Sequence, residues 1–326
     1  TQINYGLTKF DKDGYLIWDV PIDNDYVNTV QHLRPGVDDS SNIYLAGSME
    51  HDVTFYSTDN PGSGNFLDGW NTGSGEKLFL AKFDSLGNLL WNTKSYTAGG
   101  LNDNTQPYNL ETDKNGNCYI SGRNDVIING FGLNHIFLNV NGTADTIDAG
   151  QYFIVKVDAN GNSQWMKGAY TSYYGFGYEL DLKDDTIYVI GQVSENGPQT
   201  HTVQLYNPDS SYVNLSIASY DYFLASYDTS GLLLSVTKNG NNSSWIGQFG
   251  FHGFFKGDDN KFYSARSGQV TSALDYQEFG DTLNLTNGRE AWLIKFCEGC
   301  GVSQVPSYYE IHDTTICIGD SYTFPG

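Results

Sequence analysis

The strongest constraint on this chain is that it repeats itself. The segment Leu78-Phe79-Leu80-Ala81-Lys82-Phe83-Asp84-Ser85-Leu86-Gly87-Asn88-Leu89-Leu90-Trp91 recurs from Tyr5 to Trp18, from Tyr152 to Trp165 and from Tyr222 to Ser235, with a degenerate copy from Ala291 to Gly301. The regular copies place aspartates at 11, 84, 158 and 228, with Cys297 in register, so the spacings are 73, 74, 70 and 69 residues. A second unit interleaves with the first: Asn42-Ile43-Tyr44-Leu45-Ala46-Gly47, Asn117-Cys118-Tyr119-Ile120-Ser121-Gly122, Thr186-Ile187-Tyr188-Val189-Ile190-Gly191, and a weaker copy around Tyr263. Two unrelated motifs that hold one period in phase define a repeat protein.

Each unit reads as a hairpin. In Lys-Phe-Asp-x-x-Gly-Asn-x-x-Trp, an alternating strand meets a turn in which Asp bonds its own backbone and Gly supplies positive φ, and a second alternating strand follows. The Asn-x-Tyr-x-x-Gly unit follows Asp-rich turns such as Asp113-Lys114-Asn115-Gly116 and gives another hairpin. One period therefore holds four strands and a variable excursion, the content of one blade of a β-propeller. Composition agrees: 24 Tyr, 18 Phe and 37 Gly favour sheet and turn, and no dozen residues keep a helical period. No apolar run approaches the roughly 18 residues of a membrane span. The expectation is an all-β propeller with four to five visible blades over 1–301.

Repeats with these two hairpins resemble the seven-bladed β-propeller repeat (SBBP) family, over residues 1 to about 300. The fourth hairpin departs from the pattern, since Ser235 stands where the others have Trp. The resemblance implies a secreted or surface protein of bacteria with an adhesive or unassigned role. The tail, 302–326, differs. Its run Asp313-Thr314-Thr315-Ile316-Cys317-Ile318-Gly319-Asp320 resembles the first strand of immunoglobulin-like modules on surface proteins exported by the type IX route. In those modules the equivalent cysteine pairs with a later one, so the resemblance implies an unpaired Cys317 and an extended lead-in here. Five first-type hairpins against four of the second type lead us to expect a propeller incomplete at its N-terminus, and no signal peptide opens the chain.

The charge balance, 38 acidic against 17 basic residues and −21 formally, argues against nucleic acid and against docking on anionic lipid, both of which need clustered Lys and Arg. Calcium is the sharper reading of that excess. The turns at Asp11 and Asp113 nevertheless lack the glutamate of an EF-hand, with Val20 and Gly122 in its place, so no cofactor is expected. Cys297-Glu298-Gly299-Cys300 has no matching ligand pair for zinc and no β-α-β setting for redox chemistry, which leaves a small disulfide or two free thiols. Catalytic signatures are missing throughout, and the six histidines show no ligand spacing.

The repeated Trp18, Trp91 and Trp165, with Tyr44, Tyr119, Tyr188 and Tyr263, are expected to pack between blades. Two connections carry aromatic residues that other copies lack: Tyr173, Tyr174 and Phe176 in one, Trp245, Phe249, Phe251 and His252 in the other. They are the candidate ligand-binding residues. The expected function is a non-catalytic, surface-exposed binding or adhesion propeller of a large secreted protein, engaging a protein or glycan ligand at the cell surface and using export machinery, without membrane insertion. The alternatives are a carbohydrate-binding or polysaccharide-degrading accessory protein that uses the aromatic loops, and a structural spacer.

Overall fold

The computed structural model describes residues 3–24, 30–69, 75–97, 103–124, 127–128, 131–132, 134–138, 140, 144–148, 152–171, 175–193, 200–207, 211–218, 222–238, 250–270, 274–278, 281–285 and 288–296. All regular structure among them is strand. The opening pair is β1 (Ile3–Phe10) and β2 (Leu16–Asn24), followed by β3 (Val30–Val37), β4 (Ile43–Met49), a short hairpin β5 (Val53–Phe55) and β6 (Asn65–Leu67), then β7 (Gly75–Phe83) and β8 (Leu89–Thr97). The next period comprises β9 (Asp103–Thr112), β10 (Cys118–Asn124), β11 (Ile127–Ile128), β12 (Phe131–Gly132), the hairpin β13 (Asn134–Leu138) and β14 (Ala144–Asp148), β15 (Tyr152–Val157) and β16 (Ser163–Thr171). Then come β17 (Gly175–Lys183), β18 (Thr186–Val193), β19 (Thr200–Tyr206), β20 (Tyr212–Ala218), β21 (Tyr222–Asp228) and β22 (Leu233–Lys238). The last described strands are β23 (Gly250–Lys256), β24 (Phe262–Val270), β25 (Leu274–Glu278), β26 (Asp281–Leu285) and β27 (Gly288–Phe296).

Pairing turns this list into blades. The meanders β3-β4-β7-β8, β9-β10-β15-β16 and β17-β18-β21-β22 are antiparallel throughout, and β23-β24-β27 repeats the first three strands. The first strands of successive meanders pack side by side, β3 on β9, β9 on β17 and β17 on β23, which sets the meanders around a common axis. This is a β-propeller. Three blades have all four strands described, a fourth has three, and β1–β2 supplies the outer half of another. No sheet closes on itself among the described residues.

In three periods the excursion joins the preceding blade. Hairpin β5–β6 pairs with β2, β13–β14 with β8, and β19–β20 with β16, each extending an outermost strand laid down one period earlier. The blades are therefore linked by hydrogen-bonded strands as well as by packing.

The core lies in layers between blades because the middle strands bury both faces; every residue of β4 is buried. One layer joins Tyr44, Leu78, Leu80 and Trp91 to Leu110, Cys118, Ile120 and Val155 of the next blade. The next layer joins Tyr119, Tyr152 and Ile154 to Leu180, Ile187, Phe223 and Tyr227.

The register explains the second motif. Its glycine stands opposite the motif phenylalanine in the three complete blades, Gly47 against Phe79, Gly122 against Phe153 and Gly191 against Phe223. The ring lies across the space where a side chain would sit: a Cβ on Gly122 would fall 2.5 Å from Phe153 Cζ and 2.4 Å from the Gln106 carbonyl oxygen. Gly122→Ala should cost about 1–3 kcal/mol by overpacking. Urea unfolding should show that loss, with part of it recovered when Phe153→Leu is combined with Gly122→Ala.

Candidate functional site

The chemistry-bearing residues of the repeat go to the seams between blades. Register aligns Tyr44, Lys82 and Trp91 in one row across a blade, and Tyr119, Lys156 and Trp165 in the next. Lys82 Nζ and Trp91 Nε1 both donate to the carbonyl of Ala159, in the next blade's turn, at 3.1 and 3.0 Å. Lys9 and Trp18 treat Ser85 in the same way at 2.9 and 3.1 Å, and Lys156 and Trp165 meet Thr229 at 2.9 and 3.1 Å. The ammonium groups of Lys82 and Lys156 also lie 4.8 and 5.4 Å from the ring centroids of Tyr44 and Tyr119, within cation–π range. Trp91 is buried at 8% exposure, whereas Trp18 and Trp165 are half-buried.

The tyrosines complete the seams in different ways. Tyr44 donates to the Gly116 carbonyl of the next blade at 2.6 Å, and Tyr188 takes Lys256 Nζ at 2.5 Å across its seam. Tyr119 and Tyr263 donate to Asp113 and Asp259 at 3.1 and 3.0 Å. In the third blade both partners are replaced: Ser226 and Ser235 occupy the paired positions, and their hydroxyls bond each other at 2.6 Å. In the sequence of the following repeat, Cys297 stands where the other copies have Asp and Cys300 where they have Gly.

The acidic turns have structural work. Asp84 Oδ1 accepts the amides of Leu86 and Asn88, and Oδ2 accepts the Asn88 side chain. Asp11, Asp38, Asp113, Asp158 and Asp228 bind the amides two and four residues on in the same way. Burial pushes the Asp84 carboxyl up, but these donors outweigh it and hold the group below its ordinary value. The glycine closing this turn, Gly87, has φ +85, which L side chains rarely adopt. Among the described residues no three His, Cys, Asp or Glu side chains group as metal ligands.

Polar residues that do not repeat gather on the innermost strands. Each of these strands carries a β-bulge near the motif glycine position, at His32–Leu33 in β3, Tyr108 in β9, Tyr178–Glu179 in β17 and, beside Arg266 rather than a glycine, His252 in β23. His32 has φ 54, a left-handed conformation rare for a non-glycine residue, and its Nε2 stands 3.9 Å from the buried Glu76 carboxylate. Burial lowers the His32 imidazole, against the pull of Glu76. Arg34 donates through Nε to the Tyr108 carbonyl, Asn109 Nδ2 to the Leu180 carbonyl at 2.6 Å, and the Lys256 amide to Asp181 Oδ2 at 2.6 Å, stitching each inner strand to the next. Burial, helped by the charges of Asp181 and Glu179, pushes Glu111 up to about 7, and burial pushes Glu179 up to about 7 against the Arg34 guanidinium.

Of the aromatic candidates, Tyr173, Tyr174, Trp245 and Phe249 lie outside the described residues, as do Cys297, Cys300 and Cys317. The sequence reading sets Phe176, Phe251 and His252 in connections, but the structure puts Phe176 on β17 and the other two on β23. The alternation of Gly with larger residues in Gly175-Phe176-Gly177-Tyr178 already has the period of a strand, and the ladder to β18 continues it. Phe176 stands opposite Gln192 and Phe251 opposite Arg266, one register position apart in their blades, and His252 falls at the same bulge as His32. Sequence reasoning missed His32, Arg34, Glu111, Glu179 and Asp181. The available signal was in the differences, since aligned repeats vary most just before each second-motif turn.

Fold and site together define a propeller of repeated blades whose conserved-looking motif residues hold the blades together, with the variable residues at the axis. No family model matches the chain. It is similar to an uncharacterized WD repeat-containing protein of Acanthamoeba polyphaga mimivirus, 27% identical over 262 residues, which is 74% of this chain and 18% of that protein. The chain thus spans less than a fifth of the length of that curated relative.

Two outcomes are expected. Trp91→Ala should lower stability by about 3–5 kcal/mol, and Trp91→Phe, which keeps most of the area and loses the bond to Ala159, by about 1 kcal/mol, both read by urea unfolding. The pH test concerns Glu111 and Glu179. In the unfolded chain they titrate at the ordinary 4.5, so between there and about 7 the folded state holds protons that the unfolded state releases. Their contribution therefore falls as pH rises through that window. Glu179→Gln should be more stable relative to the native chain at pH 8 than at pH 5; melting curves at the two pH values check it.

Proposed function

We propose that this chain is a non-catalytic interaction propeller that binds a protein ligand at the rim of its axis, as part of a longer secreted or cell-surface adhesin. One observation carries the reading. The repeated Lys, Trp, Tyr and Asp are committed to turns and seams, whereas His32, Arg34, Glu111, Glu179 and Asp181 differ between blades and cluster on the inner strands. A scaffold that is constant in its seams and different from blade to blade at the axis suits recognition, because the axis presents a surface that the repeat itself does not dictate. The similarity to a WD repeat-containing protein supports an interaction role. The repeat wording, which resembles the SBBP family, and the acidic surface support the extracellular setting. Aromatic residues on two inner strands, Phe176 on β17 and Phe251 on β23, favour a second reading, a glycan ligand at the same rim.

Labelled chain incubated with immobilised candidate host-cell or bacterial surfaces separates the two. The protein reading expects saturable binding that is abolished by protease treatment of the surface, survives periodate oxidation of its glycans and weakens with Arg34→Gln. Binding that survives protease and is lost to periodate assigns the rim to carbohydrate.

A further inference from the structure

Two turns of one blade carry asparagine directly before glycine: Asn115-Gly116 between β9 and β10, and Asn160-Gly161 between β15 and β16. Such a pair is especially prone to spontaneous deamidation, because no Cβ on the glycine hinders attack by its backbone nitrogen on the asparagine side chain. Both pairs sit at the same seam. The Gly116 carbonyl accepts the Tyr44 hydroxyl at 2.6 Å, and the Ala159 carbonyl, just before Asn160, accepts Lys82 Nζ and Trp91 Nε1 at 3.1 and 3.0 Å. The turns also lie against each other, since a Cβ on Gly116 would fall 3.3 Å from Ala159 Cβ. The acceptors Ser85 and Thr229, at other seams, are followed instead by Leu86-Gly87 and Ser230-Gly231.

The closed turn withholds the nucleophile. Gly116 N–H donates to the Asp113 carbonyl at 2.9 Å and Gly161 N–H to the Asp158 carbonyl at 3.0 Å. Both glycines are buried, although the asparagines beside them are exposed. Asp113 and Asp158 fix the turns further, each accepting through Oδ1 the asparagine amide and the amide two residues beyond, all at 2.9 Å. Ring closure requires the glycine nitrogen to leave its carbonyl and swing onto the asparagine Cγ, so it requires the turn to open.

We propose that Asn115 and Asn160 are sites of spontaneous succinimide formation, protected while this seam is closed and reactive once it parts. In the open turn the glycine nitrogen bonds to the asparagine Cγ, the Cγ–Nδ2 bond breaks and ammonia leaves. Water then adds to either carbonyl of the imide ring. Breaking one C–N bond gives aspartate and breaking the other gives isoaspartate; one water is taken up for one ammonia released, with no change of oxidation state. The turn accepts ordinary aspartate, since Asp13 holds the place of Asn160 in the first turn with the same bonds to Asp11. Isoaspartate is different. It routes the main chain through Cβ and adds an atom to a turn whose carbonyls must meet Tyr44, Lys82 and Trp91. A parting of the seam thereby becomes permanent.

The test holds the intact chain at mildly alkaline pH, in buffer and in urea beyond its unfolding transition, and follows both sites by peptide mapping. Each should convert at least about tenfold more slowly in buffer, a ratio set by how rarely the turn opens. Trp91→Phe, with its melting curve recorded, should raise the rate at Asn160 in buffer several-fold. The urea-aged chain is then diluted into buffer and its folded and unfolded fractions are mapped separately. Isoaspartate at 115 and 160 should concentrate in the fraction that fails to refold, and aspartate at the same positions should not. Equal rates in buffer and urea, or a rate at Asn160 that Trp91→Phe leaves unchanged, overturn the protection by the seam. Isoaspartate divided evenly between the fractions overturns the permanent opening.

Discussion

The structure depends on one carbonyl per blade. Ser85, Ala159 and Thr229 each follow the aspartate of a turn, and each takes both a lysine ammonium and an indole N–H from the blade before it. A polar atom in a dry seam is costly unless bonded, and this acceptor is bonded twice, once by a charged donor. The aspartate makes the arrangement possible, since by holding the amides two and four residues on it fixes the direction of the carbonyl beside it. Turn, cross-strand row and blade spacing are therefore one device, and a change in any part is felt in the others. The third blade illustrates this: a serine pair replaces lysine and tryptophan, and the motif that follows one repeat on has Cys297 in place of the aspartate.

The fold was legible in the sequence because the device is local. Aspartate and glycine at fixed offsets within alternating strands state a hairpin, and Trp91 or Trp165 four residues after the turn glycine states its second arm. The reason the motif glycine must be glycine was not legible. Phe153 lies some thirty residues beyond Gly122, and only the register puts the ring over it. The destination of the excursions was hidden for the same reason, since nothing in Asn134–Leu138 announces a partner as far back as β8.

The site was harder to read. Rarity drew attention to Phe176 and Phe251, and the ladder then placed both on inner strands. The charged residues at the axis escaped notice because a single arginine or glutamate in a strongly acidic chain carries no signal. Burial gives Glu111 and Glu179 their unusual character, and burial is decided by neighbours from other blades, Arg34 and Asp181 among them.

The excursion hairpins also set a timetable. A chain that emerges end first, from a ribosome or through an export pore, finishes β8 at Thr97, yet the hairpin that covers that strand begins at Asn134. The blades that end in β2, β8 and β16 are thus completed one repeat late, by residues that belong to their successors. Each newly made outer strand passes through an interval of exposure, and the growing end of the array stays unsealed until more chain arrives. Such a protein is zipped from one end, and a stall during its emergence leaves the most recent blade, rather than a random one, open to the surroundings.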